Sequence, residues 1–142
     1  MKALNASLVV VLFALLVTPA HAEECQTGWE DAAGAPQNRA INIDFASLAR
    51  LDRAVLPEGT SGIACRRASI VPMPDDIRVL IEWGVSFGLL VEDGRSLWIW
   101  SRGGRLQSTV DNGELSAAES DGVNGWLEVA QARFDAALAA RR

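Results

Sequence analysis

Between residues 85 and 110 the chain carries three apolar runs separated by Asp93-Gly94 and Gly103-Gly104, and nothing else in it restricts the fold as strongly. Both dipeptides suit the positive φ angles of tight hairpin turns, so the pattern predicts a three-stranded antiparallel meander. With a two-residue loop at each turn, counting outward fixes the registers. Leu89 then faces Trp98, Phe87 faces Trp100 and Glu92 faces Arg95, while on the opposite side Leu90 meets Leu97 and Leu97 meets Val110. Such a sheet is apolar on both faces. It must be covered twice, or leave one face for a partner.

Helical signals stand on either side of the meander. From Asp44, a candidate N-cap, the spacing of Phe45, Leu48, Leu51, Val55 and Leu56 predicts an N-terminal helix that Pro57-Glu58-Gly59 ends. Residues 23–43 show no apolar periodicity and read as a loop-rich lead-in. Residues 62–71 have strand character, stopped by Pro72-Met73-Pro74. Residues 77–83 fit a strand or a helix; Pro74-Asp75-Asp76 before them and Gly84 after them favour one or two helical turns. Ser116 and Glu119 form a capping-box pattern. It opens a C-terminal amphipathic helix with Trp126, Leu127, Ala130, Phe134, Ala137 and Leu138 on its apolar stripe, subject to interruption at Gly122 and Gly125. The expected architecture is a small α+β domain: a meander of three to four strands packed with an N-terminal and a C-terminal helix.

Residues 1–22 read as a secretory signal peptide. Lys2 supplies the positive end, residues 8–17 the apolar stretch, and Ala20-His21-Ala22 the small-x-small site, with a cut after Ala22. An apolar stretch of about ten residues is too short to span the roughly 30 Å hydrocarbon core. The mature domain is then 23–142, without an integral membrane span. The Ala, Arg, Gly and Asp bias, with Tyr absent, is that of a GC-rich bacterial genome, so the expected address is the periplasm or the cell exterior. Cys25 and Cys65, the only cysteines, would meet an oxidising compartment there and pair. That disulfide closes a loop of roughly 40 residues and stabilises the fold by about 4 kcal/mol on a chain-entropy estimate.

Cleavage also removes the only Lys and the only His. The 13 basic residues less Lys2 leave 12 arginines against 18 acids, a net charge of −6. Nucleic acid and anionic lipid both demand a positive footprint, so neither is an expected partner. Without His there is no Ser-His-Asp or Cys-His arrangement and no HExxH helix, and no phosphate-binding glycine loop is present. Asp111-Asn112-Gly113-Glu114 is only a fragment of a calcium loop, so no metal and no cofactor are expected. Carboxylate-only catalysis on glycans would need two acids with separated pKa values. Asp75-Asp76 and Glu92-Asp93 are the available pairs, and a helix start and a turn account for them without catalysis.

The remaining candidates are binding residues. Phe87, Trp98 and Trp100 share the aromatic face in the registers above, either as core beneath the N-terminal helix or as a platform for a glycan or a protein. Arg102 and Arg105 bracket Gly103-Gly104 and oppose one another, which an anionic partner would relieve; Arg66-Arg67 has the same status. These features point to a non-catalytic secreted or periplasmic binding protein, its partner another protein or a glycan of the cell envelope. A carboxylate-dependent enzyme and a structural subunit of an envelope complex are the alternatives.

Overall fold

Six strands form one mixed sheet in a computed structural model that describes residues 22–30 and 33–142. In chain order they are β1 (Ala22–Glu30), β2 (Pro36–Asp44), β3 (Gly62–Arg67), β4 (Ser86–Val91), β5 (Ser96–Arg102) and β6 (Arg105–Asp111). Their spatial order is β2-β1-β3-β4-β5-β6, so β2 and β6 are the edges. All neighbours are antiparallel except β3 and β4. A parallel pair needs a crossover, and residues 68–85 provide it with a short helix, α1 (Arg78–Glu82). The segment read as a signal peptide lies outside the described residues apart from Ala22, and a cut after Ala22 would leave the β1–β2 pairing intact from Glu23↔Ile43 onward. No described helix is long and apolar enough to cross a membrane.

Strand alternation sends one set of side chains to a single core. Directly opposed residues line up as Ile41, Cys25, Cys65, Leu89, Leu97 and Val110 across the whole sheet, with Ile63, Phe87 and Ile99 in the next row. Against these rows pack Ile77 and Leu80 around α1, Phe45 and Leu48 from residues 45–50, and Val123 and Phe134 from the helix α2 (Ala117–Ala140). Phe45 meets Phe87 edge to face, with ring centroids 5.4 Å apart. The Cys25–Cys65 disulfide joins opposed residues of β1 and β3 inside this layer, where both are buried.

α2 begins as its sequence predicts: Ser116 Oγ accepts from the Glu119 N–H at 3.1 Å, and the Ser116 N–H donates to Glu119 Oε1 at 2.9 Å. It runs unbroken through Gly122 and Gly125. Gly122 has a packing reason, since a Cβ there would lie 2.6 Å from Val71 Cγ1; at Gly125 a Cβ would meet nothing within 4 Å.

Four expectations are corrected. The lead-in is the β1–β2 hairpin, whose outward residues, among them Glu24, Gln26, Asn38 and Asn42, are polar and mask the alternation of Cys25, Thr27, Ile41 and Ile43. The sheet therefore has six strands, not three to four. The N-terminal helix is two 3-10 turns, Phe45–Arg50 and Arg53–Val55. Asp44 and Asp52 each cap their own turn by accepting from Ala46 N and Ala54 N at 3.1 Å, and the second cap stops the first turn from propagating.

The fourth correction concerns register. The β4–β5 loop holds three residues, with Val91 N–H donating to Arg95 O, Gly94 N–H to Val91 O, and Gly94 at φ 95°. This is a type I turn followed by a left-handed glycine. The extra residue slips the pairing by one, to Phe87↔Ile99, Gly88↔Trp98 and Leu89↔Leu97. A one-residue slip exchanges faces. Phe87 consequently joins the core, Leu90 opposes Ser96 rather than Leu97, and Glu92 does not pair with Arg95. At β5–β6 the two-residue loop holds, with Leu97↔Val110 and Arg102↔Arg105 as counted.

Candidate functional site

The second face of the sheet carries the side chains that the core does not use. Leu90, Trp98 and Trp100 point to it by alternation, all three are half-buried, and none packs against the core cluster. Among the described residues no helix covers the tryptophans, because the 3-10 turns and α2 pack on the other face. Trp98 lies flat across its neighbour strand: a Cβ on Gly88 would come within 2.5 Å of its Cζ3 atom. The glycine provides the space for an indole to rest on the backbone, leaving the other side of the ring outward.

Continuing along β5 and β6, the same alternation sets Arg102 and Arg105 beyond Trp100 and Gln107. Four of the five residues singled out from the sequence thus share one strip. Phe87, fully buried beneath the sheet, does not. Both turn residues have positive φ, 59° at Gly103 and 80° at Gly104, so the tight loop holds the two arginines directly opposed. Both are exposed, and neither makes a salt bridge or side-chain hydrogen bond among the described residues. Gln131 of α2 steadies the turn from behind, accepting from Leu106 N at 2.8 Å and donating to Gly104 O at 3.0 Å.

Arg67 and Arg66 divide. Arg67 approaches Glu23 at 3.4 Å and donates to Pro72 O at 2.8 Å, so it ties the sheet to the crossover. Arg66 is exposed and borders a cleft of about 530 Å³ with Glu24, Gln26, Ala64 and Leu90.

The acidic pairs are separated by the structure. Asp93 belongs to a structural network in which Arg95 donates to Asp93 at 2.7 Å, to Glu119 at 2.7 and 2.9 Å, and to Glu114 O at 2.8 Å. These bonds fasten the β4–β5 turn to the start of α2. Hydrogen bonding from Arg95, joined by the Ser116 N–H, holds the Glu119 carboxyl at about 2; Arg95 likewise lowers Asp93. A general acid needs a shift in the opposite direction.

Asp75 and Asp76 line a cleft of about 450 Å³ between α1 and α2 with Arg78, Trp126 and Arg133, a grouping the sequence did not suggest. Asp76 stands 3.8 Å from both Arg78 and Arg133 and has φ 58°. The adjacent Pro74-Asp75-Asp76 was legible only as a helix start, because Arg133 reaches it through tertiary packing. Among the described residues no three His, Cys, Asp or Glu side chains converge as a metal site.

Comparison with protein-family models, curated proteins and solved structures finds no match for this chain.

Proposed function

We propose that this chain is a non-catalytic binding protein, working in the periplasm or outside the cell, that engages a macromolecule through the open face of its sheet. The observation that carries the reading is the pair Trp98 and Trp100, half-buried on a face that no described helix covers. Large indoles left outside a core that is otherwise well filled mark a contact surface, since Trp dominates binding hot spots. The sequence agrees: beyond residue 22 it has no His and no nucleophile motif. A disulfide inside the core suits an oxidising compartment, as does the leader-like segment before it.

The test is binding of the oxidised mature protein to isolated cell-envelope fractions, alongside two variants. Trp98→Ala with Trp100→Ala removes the strip; Val129→Ala trims a side chain 55% exposed on α2, away from the sheet's open face. Loss of retention in the tryptophan variant alone supports the proposal. Equal retention of both variants contradicts it.

A further inference from the structure

Resting on the open-face reading, we propose that the β5–β6 strip takes an anionic saccharide, with sugar rings stacked on Trp98 and Trp100 and an acidic substituent held by Arg102 and Arg105. The four residues occupy one face of one hairpin, the indoles two residues apart on β5 and the guanidinium pair immediately beyond them. That step along a strand is about 6.7 Å, comparable to one sugar unit. The C–H bonds of a sugar ring carry slight positive charge and lie well against the negative face of an indole. Hydroxyl partners are at hand: Thr109 opposes Trp98, Gln107 opposes Trp100, and neither side chain is engaged among the described residues.

Charge gives the ligand its acidic group. The chain has 18 acids. Arg67, Arg78, Arg95 and Arg133 each lie within 4 Å of one; Arg102 and Arg105, like Arg50, Arg53 and Arg66, have no ion pair among the described residues, and they alone of these stand directly opposed across a turn. Glu128 and Asp135 border a crevice that Arg105 also touches, and neither pairs with it. Two opposed guanidinium groups without an acid repel one another, and a carboxylate, sulfate or phosphate placed between them relieves that and accepts from both forks. Asp111, exposed at the far end of the same face, repels the acidic group there and gives the strip a direction.

Other occupants fit less well. Six strands about 4.8 Å apart and six to nine residues long make a face of roughly 700 Å² per copy, but only Leu90, Trp98 and Trp100 on it are large and apolar, too few for the apolar centre of a dimer interface. An extended peptide takes most of its affinity from backbone hydrogen bonds along a sheet edge, whereas Trp98 and Trp100 lie on the flat of the sheet.

The experiment is a tryptophan-fluorescence titration of the oxidised mature protein with three acidic probes: oligogalacturonate, a sulfated chondroitin oligosaccharide and a phosphorylated mannan oligosaccharide. Each is paired with its methyl-esterified, desulfated or dephosphorylated counterpart, and oligoglutamate serves as the acidic non-sugar. At least one acidic saccharide is expected to bind, roughly tenfold tighter than its neutral counterpart, as loss of a charged hydrogen bond implies. Arg102→Gln with Arg105→Gln should erase that difference, and Trp98→Ala with Trp100→Ala, which lacks the reporting indoles and is read by titration calorimetry instead, should abolish binding while far-UV circular dichroism stays unchanged. The proposal is overturned if none of the three binds, if oligoglutamate binds as tightly, or if the arginine variants keep the preference. Failure of all three probes with freely quenched indoles removes the saccharide and leaves the open face standing; indoles protected from quencher in the monomer remove both.

Discussion

Leu97 and Ile99 are 1% and 0% exposed, while Trp98 and Trp100, interleaved with them on β5, are half-buried and touch none of the core. The comparison separates two kinds of apolar residue that composition alone cannot distinguish. One face of the sheet is filled by a disulfide, two helices and a pair of 3-10 turns; the other carries indoles and arginines with no described helix over them. Burial on the first face holds the fold together, and the second contributes little to that burial.

Truncation should therefore cost very different amounts on the two faces. Phe87→Ala empties a fully buried site against Phe45 and is expected to destabilise by about 3–5 kcal/mol. Trp100→Ala should change stability by less than about 1 kcal/mol, in the range of surface substitutions. Urea unfolding of the two variants checks the contrast, and similar losses would break it. Next in size is the disulfide. Replacing Cys25 and Cys65 with Ala should cost about 4 kcal/mol. In the wild type both cysteines are buried, so thiol labelling after mild reductant should stay low until denaturant is added.

α2 offers a smaller test of what the filled face demands. Gly125→Ala should stabilise by up to about 1 kcal/mol through helix propensity. Gly122→Ala gains the same propensity but drives a methyl group into Val71, so it should lower the thermal midpoint, with a net cost of roughly 1–3 kcal/mol. A rise for both would mean that α2 is less tightly seated than the structure has it.

The smallest effect is on acidity. Glu119 and Asp93 have carboxyls held below their ordinary values of 4.5 and 3.8, so their contribution is present above those values and lost as pH falls towards about 2. Glu119→Gln should accordingly lower the thermal midpoint at pH 6 and make little difference near pH 2.

How far these residues could be read from the sequence depended on turn chemistry. Gly103-Gly104 fills both positive-φ positions of a two-residue turn, and the counted register of β5–β6 is the observed one. Asp93-Gly94 looks equivalent, but only Gly94 takes positive φ; the third loop residue moved Phe87 from the expected aromatic face into the core and set Trp98 over Gly88. The capping box and the disulfide were legible because each rests on local chemistry or on a pair without alternatives, whereas the residues of α1 fitted a strand as well as a helix. The β1–β2 hairpin was not, since its outward residues face water on an uncovered sheet and dilute the apolar signal. The gathering of Asp76, Arg78 and Arg133 depends on how α2 docks, which no local pattern encodes.

The central claim is that one face of this sheet is uncovered, and acrylamide quenching of tryptophan fluorescence in the oxidised, monomeric mature protein tests it most directly, with Trp98→Phe and Trp100→Phe resolving the contributions of those two indoles. The account predicts that residues 98 and 100 supply a red-shifted, readily quenched component that disappears in the two variants. A blue-shifted, protected signal from both positions in the monomer would contradict it.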